Sequence, residues 1–290
     1  MRIAKKILNV KNVEGYYKIT SLMEYKPNEG RSNIQYIFHV FIKEDKKELK
    51  LYNALGVNTI LNMESAIVGN LNYHYLKNHN FNKTLAKKQS DFLLNFSKDF
   101  DIQLDTMQYY FGSSHEEINS IKGLDFIIGH NGESFPSGKA DPKNKIVYSF
   151  GLGEYYPHEL IHVVLYKKYN NMHFWFDEGI ATYFGMSRGK ELDWHLKKVN
   201  TFLQSHQEID LNDLLKYRIV DPLTDFKYAL GGFLIKYAYE KGGYELIKKL
   251  LLAGSSETEF YEAIKTHLEL DKNSLNSFIR NELKKRYDNK

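Results

Sequence analysis

The chain has 290 residues, 42% of them hydrophobic and 14% aromatic, which describes a folded globular protein of one or two domains and excludes a disordered one. Its net charge is +4, with Lys pairs spread from positions 5–6 to 284–285, a distribution that reads as solvated surface and argues against nucleic acid as a partner. There is no Cys, so disulfides, thiol catalysis and thiolate ligation are excluded, and any metal has to be held by His and carboxylates.

In chain order, residues 1–56 read as β-rich, with the clearest strand at 33–43. Helical periodicity marks 58–78 and 84–100, the latter through Leu85, Phe92, Leu93 and Phe96. A short strand is expected at 107–111. Ser113 or Ser114, with Glu116 and Glu117 following, resembles a capping box that opens a helix to about 121. Residues 124–128 read as a strand, 131–143 as a Gly-, Pro- and Ser-rich loop, and 145–150 (KIVYSF) as a strand ending at Gly151 and Gly153. Helices follow at 155–169, where Pro157 falls in the first turn, and at 176–186, 189–205, 222–240, 243–253, 257–268 and 272–287. The order predicts α+β architecture. Residues 1–83 form an N-terminal β/α extension and 84–290 the main domain, with its sheet in 84–170 and its helical half in 171–290. No run approaches eighteen apolar residues, so no membrane span is expected. The basic start lacks an apolar signal core, which places the chain as it stands in the cytoplasm, or outside it if a signal segment was removed.

Residues 158–162 read His-Glu-Leu-Ile-His. On a helix, positions i and i+4 share a face, so His158 and His162 can both turn a ring nitrogen to one Zn²⁺ while Glu159 lies at the edge of that face. Two ligands fall short of a catalytic zinc site. Glu178, in Trp175-Phe-Asp-Glu-Gly-Ile-Ala, follows at a distance that lets a second helix return across the first, with Gly179 and Ala181 small enough for close approach. It would complete a His₂Glu set; the bland alternative is a carboxylate favoured at a helix N-terminus. His173 is a rival third ligand, expected in the turn before that helix. Asp177 or Thr182 is expected to hold a ligating His through its second ring nitrogen. A phosphate-loop near-miss at Gly132, Gly138 and Lys139 is discarded on spacing.

HELIH followed by DEGIA resembles the gluzincins, the thermolysin-like zinc peptidases whose third ligand is a Glu in an EGxA segment. The resemblance implies a thermolysin-like zincin domain, and it makes KIVYSF the edge strand that binds extended peptide substrate, through Val147, Tyr148 and Ser149. It also implies an oxyanion-stabilising Tyr or His on a downstream helix, for which Tyr228 is the candidate, with Tyr148, Tyr155 and Tyr156 as rivals. The spacing to the third ligand is a few residues shorter than in thermolysin, and no GxMEN segment provides the aminopeptidase anchor. Leu165 and Lys168 occupy the positions where metzincins carry Gly and a third His. The resulting expectation is a zinc-dependent peptidase, Glu159 acting as its base, that cleaves within peptide or protein chains. The alternatives are a catalytically silent relative that binds protein or polysaccharide, and an accidental motif in an unrelated α+β protein.

Overall fold

The computed structural model describes residues 2–26, 34–128, 135–217 and 219–288. Position 33 of the first predicted strand, and 131–134 of the predicted loop, lie outside them. Strands β1 (Arg2–Val13) and β2 (Tyr16–Lys26) form a hairpin turned by Glu14 and Gly15, both at positive φ. Strand β3 (Ile34–Asp45) pairs with β2 and, along its C-terminal part, with β4 (Glu48–Tyr52). Helix α1 (Ala54–Asn62) starts at Asn53, whose side chain accepts the Leu55 N–H.

The helix predicted over 58–78 stops at Asn62. A hairpin of β5 (Met63–Val68) and β6 (Leu71–Leu76) takes its place, turned at Gly69 with φ 58°. The alternation of Leu71, Tyr73 and Tyr75 places these three side chains on one buried face, a period of two that outweighs the helical pattern. Helix α2 (Lys83–Asp99) is capped by Asn82, and β7 (Met107–Gly112) follows. In α3 (His115–Ile121), Ser114 caps Glu117 N–H. The Glu117 carboxylate accepts from Ser113 N–H, so the box is only half of the expected one. Strand β8 (Leu124–Ile128) returns to pair with β3 beyond β4.

The predicted loop over 131–143 contains a strand, β9 (Ser137–Asp141), whose Ser-Gly-Lys-Ala-Asp composition gives no strand signal; antiparallel pairing with β10 (Ile146–Phe150) makes it one. The second sheet therefore runs β5-β6-β7-β10-β9, with β6, β7 and β10 parallel. Two expectations change. The sheet begins at Met63, so a boundary at residue 84 would cut through it. KIVYSF is an inner strand, hydrogen-bonded on both sides, and Val147, Tyr148 and Ser149 are buried; the edge belongs to β9.

Tyr109, Phe111 and Val147 point to the face covered by α2 and the helices that follow, while Tyr110, Tyr148 and Phe150 point to the face covered by α3. Helix α4 (Pro157–Tyr169) lies on the first face, and its Leu160, Ile161 and Leu165 are fully buried there. Each such side chain contributes about 1.5–3 kcal/mol relative to exposure. Helices α5 (Phe174–Gly185), α6 (Leu192–Ser205), α7 (Phe226–Leu251), α8 (Glu257–Ala263) and α9 (Leu275–Tyr287) build the second half around the same core. The break predicted near 240–243 is a kink in α7, at Gly242 and Gly243. The fold is mixed α+β, and no described helix is long and apolar enough to cross a membrane.

Candidate metal centre

His158, Glu159 and His162 lie on α4, and Glu178 lies one turn into α5, which crosses back over it. A Cβ on Gly185 would come within 2.6 Å of the His158 backbone nitrogen, so this glycine sets the approach of α5 to α4. Gly179, expected in that role, faces α7 instead: its Cβ would meet Gly231 at 2.4 Å.

Ligand atoms of His158, His162 and Glu178 lie within 4.8 Å of one another. Glu178 Oε2 is 3.3 Å from His158 Nε2 and 3.7 Å from His162 Nε2. The opposite ring nitrogens are committed. His158 Nδ1 donates to the Met186 carbonyl at 2.5 Å, and His162 Nδ1 donates to Asp177 Oδ1 at 2.6 Å. Each acceptor holds one proton on Nδ1 and turns Nε2 toward Glu178: when protonated, Nε2 pairs with that carboxylate, and when deprotonated it offers its lone pair, as a divalent cation requires of imidazole ligands. The donor set of two imidazoles and a carboxylate suits Zn²⁺ with one position left over.

The electrostatics match a site built for positive charge. Burial alone would raise Glu178, but the His158 hydrogen bond, the His162 and His158 charges and Lys227 outweigh it and hold the carboxyl down to about 2. Burial likewise acts to lower His162, yet Asp177, Glu178 and Glu159 together raise it. Glu159 is pushed up, chiefly by burial, with the two His residues working against the rise. Its side chain lies under the edge strand: a Cβ on Gly138 of β9 would fall 2.4 Å from Glu159 Cγ, so glycine lets the strand sit directly over the acid.

Tyr228, at the start of α7, places its ring 6.0 Å from the His158 ring, and burial followed by Glu178 raises its hydroxyl well above the ordinary value. Tyr156 stacks on His158 with ring centroids 5.7 Å apart. Tyr155 and Tyr148 lie elsewhere, the first under Lys88 and the second on the far face of the sheet. Thr182 supports neither His; its buried hydroxyl has no hydrogen-bond partner among the described residues. His173 caps α5, its Nδ1 accepting Trp175 N–H, and stands apart from the ligand cluster as expected.

Two participants were not anticipated. Lys227 Nζ is 3.5 Å from Glu178 Oε1, over the rings of Phe174 and Tyr228, and borders a cavity of about 170 Å³ lined also by Trp175 and Tyr217. The other is the Met186 carbonyl, a main-chain group with no residue-type signal. In comparisons with known proteins, no family model, no curated protein and no solved structure matches the chain.

Proposed function

We propose that this protein is a zinc-dependent peptidase of gluzincin type with a thermolysin-like catalytic unit. The observation that carries the reading is the pair of committed Nδ1–H groups, on Met186 and Asp177, which turns the Nε2 atoms of both imidazoles toward one half-buried carboxylate. His158, His162 and Glu178 would hold the ion. Bound there, Zn²⁺ supplies Lewis acidity toward a scissile carbonyl and makes a water molecule acidic enough to attack near neutral pH.

The remaining chemistry belongs to the chain. Glu159, raised above the usual carboxylate value by burial, takes the proton of the attacking water on its carboxylate and returns it to the leaving amine nitrogen. Tyr228 stays protonated and offers a hydroxyl to the developing oxyanion. The outer edge of β9, the last strand of its sheet among the described residues, lies over Glu159 and would offer main-chain hydrogen bonds to an extended peptide, which favours cleavage within chains.

The test uses zinc-loaded wild type and Glu159→Gln on a broad peptide library and an unfolded protein. Cleavage by the first and none by the second, at equal zinc content, is expected. Zinc bound without cleavage by the wild type would point instead to a silent relative that only binds its partner.

A further inference from the structure

The turn between α5 and α6 borders the candidate metal centre through the Met186 carbonyl. Met186 and Arg188 have φ of 70° and 50°, values a side-chain-bearing residue keeps only where its neighbours over-determine them. The neighbours are present. The Met186 carbonyl receives His158 Nδ1–H, and the backbones of Ser187 and Lys190 pair at 2.8 and 2.9 Å. Buried His195 donates Nε2–H to the Ser187 carbonyl at 3.1 Å, and the Tyr156 hydroxyl bonds the Arg188 backbone.

The side chain this turn presents is Arg188. It is half-buried and forms no hydrogen bond or ion pair with any described residue, although its charge reaches Tyr228 beside His158. Two other arginines among the described residues are satisfied: Arg280 donates to three carbonyls and Asn276, and Arg286 pairs with Glu240 and Glu282. A guanidinium is always charged, and its five N–H donors match a carboxylate in a bidentate fork.

We infer that Arg188 receives a carboxylate of the substrate beside the scissile bond, so that the site selects peptides with an acidic group there. The group is a Glu or Asp side chain or a free C-terminus, whose chemistry is the same. This rests on the peptidase reading and names its substrate class.

The probes are peptide sets, acetylated and amidated at their ends, in which Glu, Gln or Lys is scanned through each position, together with the Gln set bearing a free C-terminus. Binding is measured by calorimetry on zinc-loaded Glu159→Gln protein, and cleavage of the same sets by the wild type is measured separately. At one position Glu should bind at least about tenfold tighter than Gln, the effect of one charge-assisted pair. The ratio should fall to about one in the Arg188→Gln background, and preference should pass to Lys in the Arg188→Glu background, an inversion that a merely damaged fold does not give. If the gain follows the free C-terminus instead, the carboxylate is terminal and the enzyme trims ends. Equal binding of acidic and neutral sets, or a preference that survives Arg188→Gln, overturns the inference. Cleavage without acidic preference overturns it and leaves the peptidase reading standing; acidic preference in binding without any cleavage removes the peptidase reading alone.

Discussion

The ring of His158 is aimed by the main chain of Met186: its Nδ1–H meets the Met186 carbonyl at 2.5 Å, and Met186 holds φ 70° and ψ 173°. Glycine alone adopts that backbone region without strain, and another residue kept there costs about 1–3 kcal/mol. Met186→Gly should therefore keep the zinc and unfold at an equal or higher temperature. Met186→Val, with a β-branched side chain in the same region, should unfold at a lower temperature and hold zinc more weakly. Thermal unfolding with and without chelator reads both, and a Gly variant that loses its zinc would contradict the relationship.

Lys227 pairs with the second oxygen of Glu178, which would leave Oε2 for the proposed ion. Partners of this kind typically contribute 10–100-fold to metal affinity. Lys227→Met is expected to weaken zinc retention by about tenfold, measured by competition with a chelator of known affinity. Unchanged retention would reduce Lys227 to a surface cation.

Gly138 separates positioning of the base from metal binding. A methyl group added there would overlap Glu159 Cγ and the Tyr156 ring. Gly138→Ala should keep its zinc, because neither contact is a ligand, while peptide turnover falls by an order of magnitude or more, the sensitivity expected of a displaced catalytic group. Full turnover in this variant would show that β9 does not seat the base.

Burial pulls His39, His74 and His195 below the ordinary imidazole value of 6.5. Between the folded and unfolded values the unfolded chain binds more protons, so stability is complete above about pH 6.5 and is lost as pH falls below it. In a zinc-free His162→Gln background, which removes the opposing contribution of the raised His162, urea-unfolding midpoints should fall from about pH 7.5 to about pH 5. His74 lies on the sheet face away from the metal, stacked on Tyr110, so its effect can be isolated. His74→Gln should show a shallower fall than wild type at matched conditions, and identical slopes would remove His74 from the acid transition.

The helical half and the metal helix were legible because a 3.6-residue period, Pro157 in a first turn and the two-glycine break at 242–243 each carry one local meaning. The hairpin of β5 and β6 was not, since its apolar residues also satisfy a helical spacing and only sheet pairing decides between them. Strand β9 was hidden for a related reason: an edge strand of small and polar residues exists through its partner, β10. At the site, HELIH and DEGIA pointed to the three side chains that the fold brings together and to Asp177, because side-chain chemistry is written in residue type. The Met186 carbonyl, the contact of Lys227 with Glu178 and the burial of Thr182 depend on how three helices cross, which residue type does not record.

The most direct measurement is zinc content per chain by elemental analysis in wild type and in His158→Ala, Glu178→Ala and His173→Ala variants. One zinc per chain in wild type and His173→Ala, with loss in the other two, is the result predicted by a His158, His162 and Glu178 centre. No zinc in wild type, or zinc that survives Glu178→Ala and disappears with His173→Ala, would contradict it.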